Sequence, residues 1–264
     1  MNNAEKKIPV SACIVCYNNQ AIIAQAVHSV LDHTKGVDLE LYIYDNASTD
    51  RTVEVIKEEF QQVWLMQSKK NRGFGSGHNK VIPKLTSKYH VIINPDILLQ
   101  EDAITEIVSY MEQHPDVHLA VPRFLNADGS EQFTPKLTPK FRYMLGGRLE
   151  KYGGPFKRWR DEYTLRGQNI EEPIDVGFCS GCFMVIRTET FREIGGFDPR
   201  YFLYNEDADL TRSVQEIGRT VYIPSVSVVH LWERAYMKKK KYLCIQIQSM
   251  LKYFWKWRGR LHEE

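Results

Sequence analysis

An alternation of strand-like and helical segments along the first hundred residues is the feature that most constrains the fold. Four short runs are rich in apolar and β-branched residues, which is typical of strands, and the segments between them have helical patterning. The strand-like runs are "VSACIVCY", "LELYIYD", "VWLMQ" and "YHVIINPD", and helices are expected near residues 20–33, 52–60 and 76–85. This order predicts an α/β fold with a mostly parallel central sheet flanked by helices.

Polar residues follow the carboxyl end of each predicted strand. The fourth run is nearly all apolar, as expected of a parallel strand covered on both faces, until it ends at Asn94-Pro95-Asp96. Ligands of open α/β sheets bind at this edge, and a buried Asp96 must bind a positive group or face water. Turn and cap chemistry explains each segment alone, but recurrence at four strand ends favours a binding crevice. The residues concerned are Tyr17, Asn18, Asp45, Arg72, Gly73, Asn94 and Asp96.

A dinucleotide-binding dehydrogenase is the main competing interpretation of such a sheet. Its best candidate motif is the glycine-rich segment "GFGSGH" at residues 73–78. That fingerprint belongs in the turn after the first strand, with an acidic residue about twenty positions later, whereas these glycines follow the third strand. We therefore interpret them as positions where the backbone approaches a ligand or forms a loop.

The second half is predicted to begin with a hairpin in "RFLNADGSEQF" and to continue as a long variable loop over residues 135–172. A strand in "VGFCSGCFMVIR", a helix and two final strands ending in "SVVHLWE" follow. The helix begins with Glu206, Asp207 and Asp209, beside the aromatic segment "YFLY". The helix dipole explains one or two of these carboxylates, and an apolar wall would raise the pKa of a third and suit it to be a general base.

Composition and cysteine content limit the classes of protein to which the chain can belong. A chain of 264 residues with 43% hydrophobic content suits one fairly large domain, and no apolar run reaches the length of a membrane-spanning helix. The N-terminal segment "IPVSACIVCY" is interpreted as a first strand rather than a leader, so a cytosolic protein is expected. Two C-x-x-C pairs, "CIVC" and "CSGC", raise a zinc ribbon as an alternative, but buried thiols in a reducing compartment are favoured.

Charge is distributed unevenly along the chain. The formal net charge is +2, yet Arg234 to Arg260 contains nine Lys and Arg and no acidic residue. The remainder therefore has 26 basic residues (35 − 9) against 33 acidic ones, or about −7. A basic tail on an acidic body predicts an anionic partner at the tail, with a membrane or a nucleic acid both open at this stage.

Together these motifs resemble the family 2 glycosyltransferases over roughly residues 9–232. The Asn-Pro-Asp form and the tail "IQSMLKYFWK" are similar to rhamnosyltransferases that build bacterial surface polysaccharides. The resemblance implies a GT-A fold, a UDP- or dTDP-sugar donor, a divalent Mg²⁺ or Mn²⁺, inversion at the anomeric carbon, and a glycan or lipid-linked acceptor. The motifs are "VSACIVCYNN", "IYDNASTDRT", "NRGFGSGHN", "INPD", "GCFMVIR", "GGFDPRYFLYNEDADL" and a late His230.

The resemblance also implies a division of the chain. Residues 1–235 would form the GT-A domain, with a nucleotide-sugar half over about 9–123 and an acceptor half over about 124–235. Residues 236–264 would form a basic amphipathic C-terminal helix.

The same resemblance implies roles for individual residues. Asp45 looks like the carboxylate that accepts the N3–H of uracil or thymine, with Tyr17, Asn18, Arg72 and Gly73 around the nucleotide. Asp96 looks like the last Asp of a D-x-D metal motif whose first position is Asn94, so one carboxylate, the donor diphosphate and water would surround the ion. His230 looks like a late metal or diphosphate ligand, although a strand-end histidine without that role is an equal alternative.

Catalysis would depend on Asp207, which matches the base of the family's Glu-Asp pair. Glu206 is the substitute candidate, because neighbouring helix positions point about 100° apart and only one can face the substrate. A catalytically silent, membrane-associated nucleotide-binding scaffold of the same fold is the alternative function. The presence of both Asp96 and Asp207 favours the enzyme.

The tail has the pattern of an amphipathic helix. Its predicted apolar face has Leu243, Ile247, Met250, Leu251 and Phe254, and its predicted polar face has Lys241, Gln248, Lys252 and Lys256. A terminal helix packed on the body would show the same stripe. The run "KKKK" and the aromatic end "YFWKWRGR" favour peripheral binding to an anionic membrane at the inner face of the cell membrane, and not to nucleic acid. On this basis a chain ending near Ala235 is expected to stay folded.

Overall fold

The structure is a computed structural model that describes residues 7–132, 135–231 and 240–259. Within these ranges the chain forms ten strands and nine α-helices. The strands are β1 (Pro9–Cys16), β2 (Asp38–Asp45), β3 (Trp64–Gln67), β4 (Tyr89–Ile93), β5 (Ile97–Leu98), β6 (Val117–Leu125), β7 (Glu131–Gln132), β8 (Ile174–Asp175), β9 (Phe183–Arg187) and β10 (Arg219–His230). The helices are α1 (Ile23–His33), α2 (Thr52–Glu59), α3 (Phe74–Asn79), α4 (Ala103–Gln113), α5 (Phe141–Leu149), α6 (Gly154–Tyr163), α7 (Thr188–Glu193), α8 (Glu206–Gln215) and α9 (Lys240–Trp257).

All ten strands belong to one mixed sheet. Its main path is β3-β2-β1-β4-β9-β6-β10-β5, with β7 paired to β6 and β8 paired to β10. The predicted parallel order is present in β3-β2-β1-β4, and β6 is also parallel to β10. Strand β9 runs antiparallel to both β4 and β6, so it joins the two halves into one sheet.

Strand β4 lies at the centre of the sheet, and every one of its residues is buried. Helix α4 packs on the neighbouring strands β6, β9 and β10 with an apolar face whose Ile104, Ile107 and Met111 are fully buried. Burying side chains of this size stabilises the fold by about 1.5–3 kcal/mol each. A strand enclosed in this way delivers the residues after it, Asn94 and Asp96, to a fixed place at the edge of the sheet.

The prediction of a long loop over residues 135–172 is wrong, because this segment contains the helices α5 and α6. The pair of glycines at 146 and 147 weakens the helical pattern, and the structure shows why glycine lies there. A Cβ on Gly146 would lie 3.0 Å from the carbonyl oxygen of Phe156 and from the Cβ of Trp159, so the two helices cross closely at this point. Arg166 ties the pair together through Glu150 at 2.6 Å and Asp161 at 3.1 Å.

The two predicted final strands are a single strand, β10. Pro224 removes one ladder hydrogen bond, and the register against β6 shifts between Ile223 and Ser227. Glu101 accepts hydrogen bonds from the backbone and hydroxyl of Ser227, at 2.7 and 2.9 Å. The strand therefore continues through an irregularity that looks like a turn in the sequence, and it carries His230 to the same edge as Asp96.

The C-terminal helix α9 packs on the body through a face that differs from the prediction. Tyr253 and Trp257 are buried, and Lys252 and Lys256, predicted on the solvent face, contact the body. The outward face has exposed apolar side chains: Leu243, Ile247, Leu251 and Trp255. The predicted Met250 and Phe254 are half-buried. The basic residues Arg234, Lys238, Lys239 and Arg260 lie outside the described residues, as does the predicted boundary at 235–236.

In the part of the chain that the structure describes, no helix has the length and apolar character needed to cross a membrane.

Candidate functional site

A pocket of about 720 Å³ lies where the carboxyl end of β4, the end of β10 and the start of α8 meet. Asn94 and Asp96 enter it from β4, His230 from β10, and Glu206 and Asp207 from α8. The helices α5 and α6 complete its other wall. The structure thus brings together the sequence-predicted metal and catalytic residues.

Asp96 is placed beside His230 by the short strand β5. The backbone of β5 pairs with the end of β10, and Leu231 N–H donates to the carbonyl of Asp96 at 2.9 Å. The Asp96 Oδ2 and His230 Nε2 atoms are 3.4 Å apart. Asp96 Oδ1 is buried and accepts no hydrogen bond from any residue that the structure describes. One oxygen of this carboxylate is therefore paired with histidine, and the other is open to a cation.

His230 is held through both ring nitrogens. Its Nδ1 lies 3.0 Å from Gln132 Oε1, and Gln132 Nε2 donates to the His230 carbonyl at 3.1 Å. Burial opposes the charged imidazolium, but the hydrogen bond to Asp96 and the contact with Cys182 outweigh it and raise the pKa of His230 to about 10. In this arrangement the two ring nitrogens of His230 contact Asp96 and Gln132, so His230 holds Asp96 in place at the edge of the sheet.

Asp96 has the chemistry of a ligand for a hard divalent cation, because its open oxygen is a carboxylate oxygen of the kind Mg²⁺ and Mn²⁺ prefer. Asn94 lines the same part of the pocket. Over the described ranges, no three His, Cys, Asp or Glu side chains are grouped as a metal site. The residues present therefore fit an ion that also binds oxygens of the donor and water.

Asp207 and Glu206 lie at the N-terminus of α8, after Tyr204 and Asn205, which have positive φ angles of 69° and 63°. Asp207 Oδ2 accepts a hydrogen bond from Gly181 N–H at 3.3 Å, and its Oδ1 accepts one from Ala208 N–H at 2.9 Å. Burial raises the pKa of Asp207, although those amides and Lys136 oppose the shift. Asp207 is thus a carboxylate biased towards accepting a proton.

Glu206 is more deeply buried than Asp207, and its Oε2 has no hydrogen-bond partner among the residues described. Burial, followed by the charge of Asp207, raises the pKa of Glu206 to about 8. Two adjacent carboxyl groups in one low-dielectric site cannot both ionise easily. A protonated Glu206 beside an ionised Asp207 is the arrangement that this geometry favours.

Of the predicted nucleotide-sugar residues, Asn94 and Asp96 line the 720 Å³ pocket, and the other five lie outside it, at the crevice beyond the ends of β1, β2 and β3: Tyr17, Asn18, Asp45, Arg72 and Gly73. Asp45 is buried at the end of β2 and accepts hydrogen bonds from Ser48 N–H at 3.2 and 3.3 Å. Asn18 accepts a hydrogen bond from Thr49 N–H at 2.8 Å, which fixes the loop after β2. The side chains of Tyr17 and Arg72 are exposed at the crevice.

Gly73 cannot be replaced by a larger residue at this position. Its φ is +90°, and a Cβ there would lie 2.2 Å from the carbonyl oxygen of Phe202. Asn46, which the sequence reasoning did not select, donates to the Gly73 carbonyl at 3.0 Å and accepts from Arg72 N–H at 3.0 Å. These bonds join the loops after β2 and β3 into one surface.

Further pocket residues were missed because they come from segments interpreted as loop or core. The "CSGC" motif places Cys182 against His230, while Cys13, Cys16 and Cys179 are buried thiols. One sequence signal pointed to Arg160, namely the cluster of basic and aromatic residues over 141–160. The missed pocket residues are Gln132, Lys136, Arg160, Tyr163 and Cys182.

Comparison with known proteins places the chain in a family. Residues 11–195 match the model of glycosyl transferase family 2. The chain is 28% identical over 206 residues to an N-acetylglucosaminyl-diphospho-decaprenol L-rhamnosyltransferase of Mycobacterium tuberculosis, covering 73% of this chain and 66% of that protein. It is 25% identical to the rhamnosyltransferase WbbL of Escherichia coli strain K12, covering 60% of each. The chain therefore spans less than two thirds of the length of these relatives.

Solved structures show the same fold at low sequence identity. GalNAc-T7 with UDP, GalNAc and Mn²⁺ superposes with a TM-score of 0.64 at 17% identity, over 91% of this chain and 48% of that one. The mannosyltransferase PcManGT of Pyrobaculum calidifontis, in complex with GDP-Man and Mn²⁺, gives 0.63 at 16% identity, over 95% and 65%. The predicted GT-A fold is confirmed, and the chain belongs to glycosyl transferase family 2.

Proposed function

We propose that the protein is an inverting glycosyltransferase that transfers a sugar from a UDP- or dTDP-sugar to a hydroxyl group of a glycan or lipid-linked acceptor. The observation that carries the proposal is that Asp96, a candidate cation ligand, and Asp207, a candidate base, line one pocket. The names of the relatives support rhamnose as the sugar and bacterial surface polysaccharide synthesis as the setting.

The donor nucleotide would occupy the crevice at the ends of β1 to β3. Asp45 would accept the N3–H of the base, and the exposed Tyr17 ring would stack on it. Asn18 and Gly73 would shape the backbone around the ribose, and Arg72 would pair with a phosphate. Because neighbouring strands are about 4.8 Å apart, the end of β2 and the end of β4 are separated by about 10 Å, which leaves room for a ribose and a diphosphate between Asp45 and Asp96.

Asp96 would hold the divalent ion through its open Oδ1 atom, with Asn94 beside it. When bound, Mg²⁺ or Mn²⁺ would neutralise charge that develops on the departing diphosphate. The Mn²⁺ of the two solved neighbours supports this choice of cofactor. His230, as an imidazolium, would fix Asp96 and add positive charge near the same diphosphate.

Asp207 would act as the general base. The acceptor oxygen forms its bond to the anomeric carbon while its proton moves to Asp207, and the bond from that carbon to the diphosphate breaks on the opposite face. Glu206 would stay protonated, so that only one negative charge lies beside the reacting oxygen. The silent-scaffold alternative lacks a specific observation in its favour.

The replacement Asp207→Asn tests the proposal. Transfer from dTDP-rhamnose to a saccharide–diphosphate–lipid acceptor should fall by two or more orders of magnitude, while donor affinity changes less than about threefold. Asp128→Asn, in an exposed hairpin turn, is the matched control and should retain full activity. Near-normal turnover of Asp207→Asn would remove Asp207 from the mechanism.

A further inference from the structure

Two cations on the second wall of the pocket have no role in the donor site described above. Lys136 lies in the segment before α5, and Arg160 lies on α6; both line the pocket that contains Asp207. Lys136, Arg160 and Tyr163 interact electrostatically with one another or with Asp207, so they form one group next to the candidate base. The donor diphosphate already has its own candidate partners at Asp96 and His230, on β4 and β10.

Lys136 is a cation without a fixed anion. Its Nζ lies 4.3 Å from the centre of the Phe178 ring, and among the described residues the Lys136 side chain has no hydrogen bond or ion pair, while its backbone carbonyl accepts a hydrogen bond from Gly177 N–H at 2.9 Å. Burial lowers the pKa of Lys136 to about 8, although the charge of Asp207 opposes the shift. Such a site disfavours an isolated charge and becomes favourable for the ammonium when an anion binds beside it.

Arg160 differs from its neighbour Arg166, although both line the pocket. Arg166 is neutralised by Glu150 at 2.6 Å and by Asp161 at 3.1 Å. Arg160 has only a distant contact with Glu150, at 3.9 Å. The planar guanidinium of Arg160 therefore keeps most of its capacity to bind a phosphate through two hydrogen bonds.

The pocket opens beside an apolar surface. Met144 of α5 and Gln246 of α9 line its outer part, and Arg148 donates to Gln246 at 3.1 Å. On α9, Leu243, one helical turn before Gln246, and Ile247, the residue after it, are both exposed. The base and the two cations therefore line one pocket, and an exposed apolar surface of α9 adjoins its lining residue Gln246. These three features match the three parts of a saccharide–diphosphate–lipid molecule.

We propose that Lys136 and Arg160 form a subsite for the diphosphate of a saccharide–diphosphate–lipid acceptor. The saccharide hydroxyl then reaches Asp207, and the lipid leaves the pocket over the outward face of α9. This inference rests on the proposed function, because it assigns the acceptor class for the same site.

Binding of a short prenyl diphosphate, measured by calorimetry in EDTA, tests the subsite without catalysis. Wild-type protein should bind the probe, and Lys136→Gln and Arg160→Gln should each weaken binding by about tenfold or more. Lys136→Arg should restore most of the affinity. The controls Lys157→Gln and Arg158→Gln, exposed on the same helix as Arg160, should bind like wild type. Absence of binding to folded wild type, or equal binding by all variants, would overturn the proposal.

Kinetics separate this subsite from the donor site and from the proposed function itself. The two pocket variants should raise KM for the diphosphate-linked acceptor by about tenfold and leave KM for a neutral alkyl glycoside and the Kd of the donor unchanged. If donor Kd rises instead, the cations bind the donor and the acceptor subsite is rejected. If wild type binds prenyl diphosphate but transfers no sugar to any acceptor, the proposed function fails while the anion subsite stands.

Discussion

Two carboxylate groups in the pocket differ in how their charge is balanced. On the strand-end side, Asp96 lies 3.4 Å from His230, which Gln132 holds at 3.0 Å. On the helix-end side, Asp207 accepts hydrogen bonds from two backbone amides, and Glu206 beside it has an oxygen without a partner in the described ranges. A carboxylate held beside a histidine, with its second oxygen unpartnered, suits cation binding, and one with a raised pKa suits proton transfer. Environment, not residue type, separates the two roles.

The two sides also differ in what supports them. Asp96 and His230 are held by the sheet, because β5 pairs with β10. Helix α8 is held from behind by α9, where Lys256 Nζ lies 2.7 Å from Asp209 and Trp257 Nε1 donates to Asp209 at 2.9 Å. Asp209 is therefore a positioning residue two places from the candidate base. The C-terminal helix is part of the support of the catalytic side.

The largest effect should come from removing the strand-end charge. Asp96→Ala, or chelation of divalent metal, should weaken donor binding and reduce transfer together, by roughly a hundredfold or more, because the cation ligand is lost. Donor Kd by calorimetry and kcat by product release measure the two effects. If protein treated with EDTA transfers sugar at the full rate, the metal role of Asp96 is wrong.

Removing the contact between α9 and Asp209, which supports the helix-end side, should lower the stability of the fold. Lys256→Met leaves the buried Asp209 with fewer partners and should lower the free energy of unfolding by about 2–3 kcal/mol, less than for a fully buried pair because Lys256 is partly exposed. Lys241→Met, on the exposed side of the same helix, is the control and should change it by less than about 0.5 kcal/mol. Urea unfolding measures both.

The packing of α9 on the body leads to a different prediction for a chain ending near Ala235 from the one made on the sequence alone. Removing α9 would uncover Tyr201 and Ala208 and strip Asp209 of its cation. We now expect that shortened chain to unfold at lower urea or to aggregate. A shortened chain as stable as the full one would show that α9 contributes nothing to the body.

The strand-end side was largely predictable from sequence, and the other wall was not. The apolar run before Asp96 forces a central strand, and the order of elements brings successive strand ends together. The helices α5 and α6 escaped prediction because Gly146, needed for their close crossing, lowers helix propensity. Lys136 has no local pattern at all, since its role depends on where the chain folds back. The face of α9 was misjudged because Lys256 pairs with a buried acid that is distant in sequence.

An effect that depends on pH is expected from the raised pKa of Glu206. Its folded value of about 8 lies above the ordinary 4.5, so the protonated form stabilises the fold below about pH 4.5, and this stabilisation is lost as pH rises through 8. Glu206→Gln should therefore raise Tm by roughly 10 °C or more at pH 9, where the full shift in pKa acts against folding, and change it little at pH 5. It should leave the acid limb of kcat/KM nearly unchanged, because a protonated Glu206 places no negative charge beside Asp207 at acidic pH. A Tm difference independent of pH would reject this account.

The smallest effect should be at the outward face of α9, which bears on the proposed contact with an anionic membrane. Leu251 and Trp255 are 59% and 63% exposed, next to Arg258, whose guanidinium lies 4.7 Å from the Trp255 ring. An apolar stripe beside cations on a helix already packed on the body is typical of an interfacial helix. Leu251→Gln with Trp255→Gln should weaken binding to phosphatidylglycerol liposomes, measured by co-sedimentation, by roughly tenfold, because the two changes together remove about 1.4 kcal/mol of apolar contact. Raising salt should weaken wild-type binding. Trp64→Gln, at an equally exposed position on β3, is the matched control and should sediment like wild type. If Trp64→Gln and the α9 double variant reduce liposome binding equally, α9 stabilises the body and does not bind the membrane.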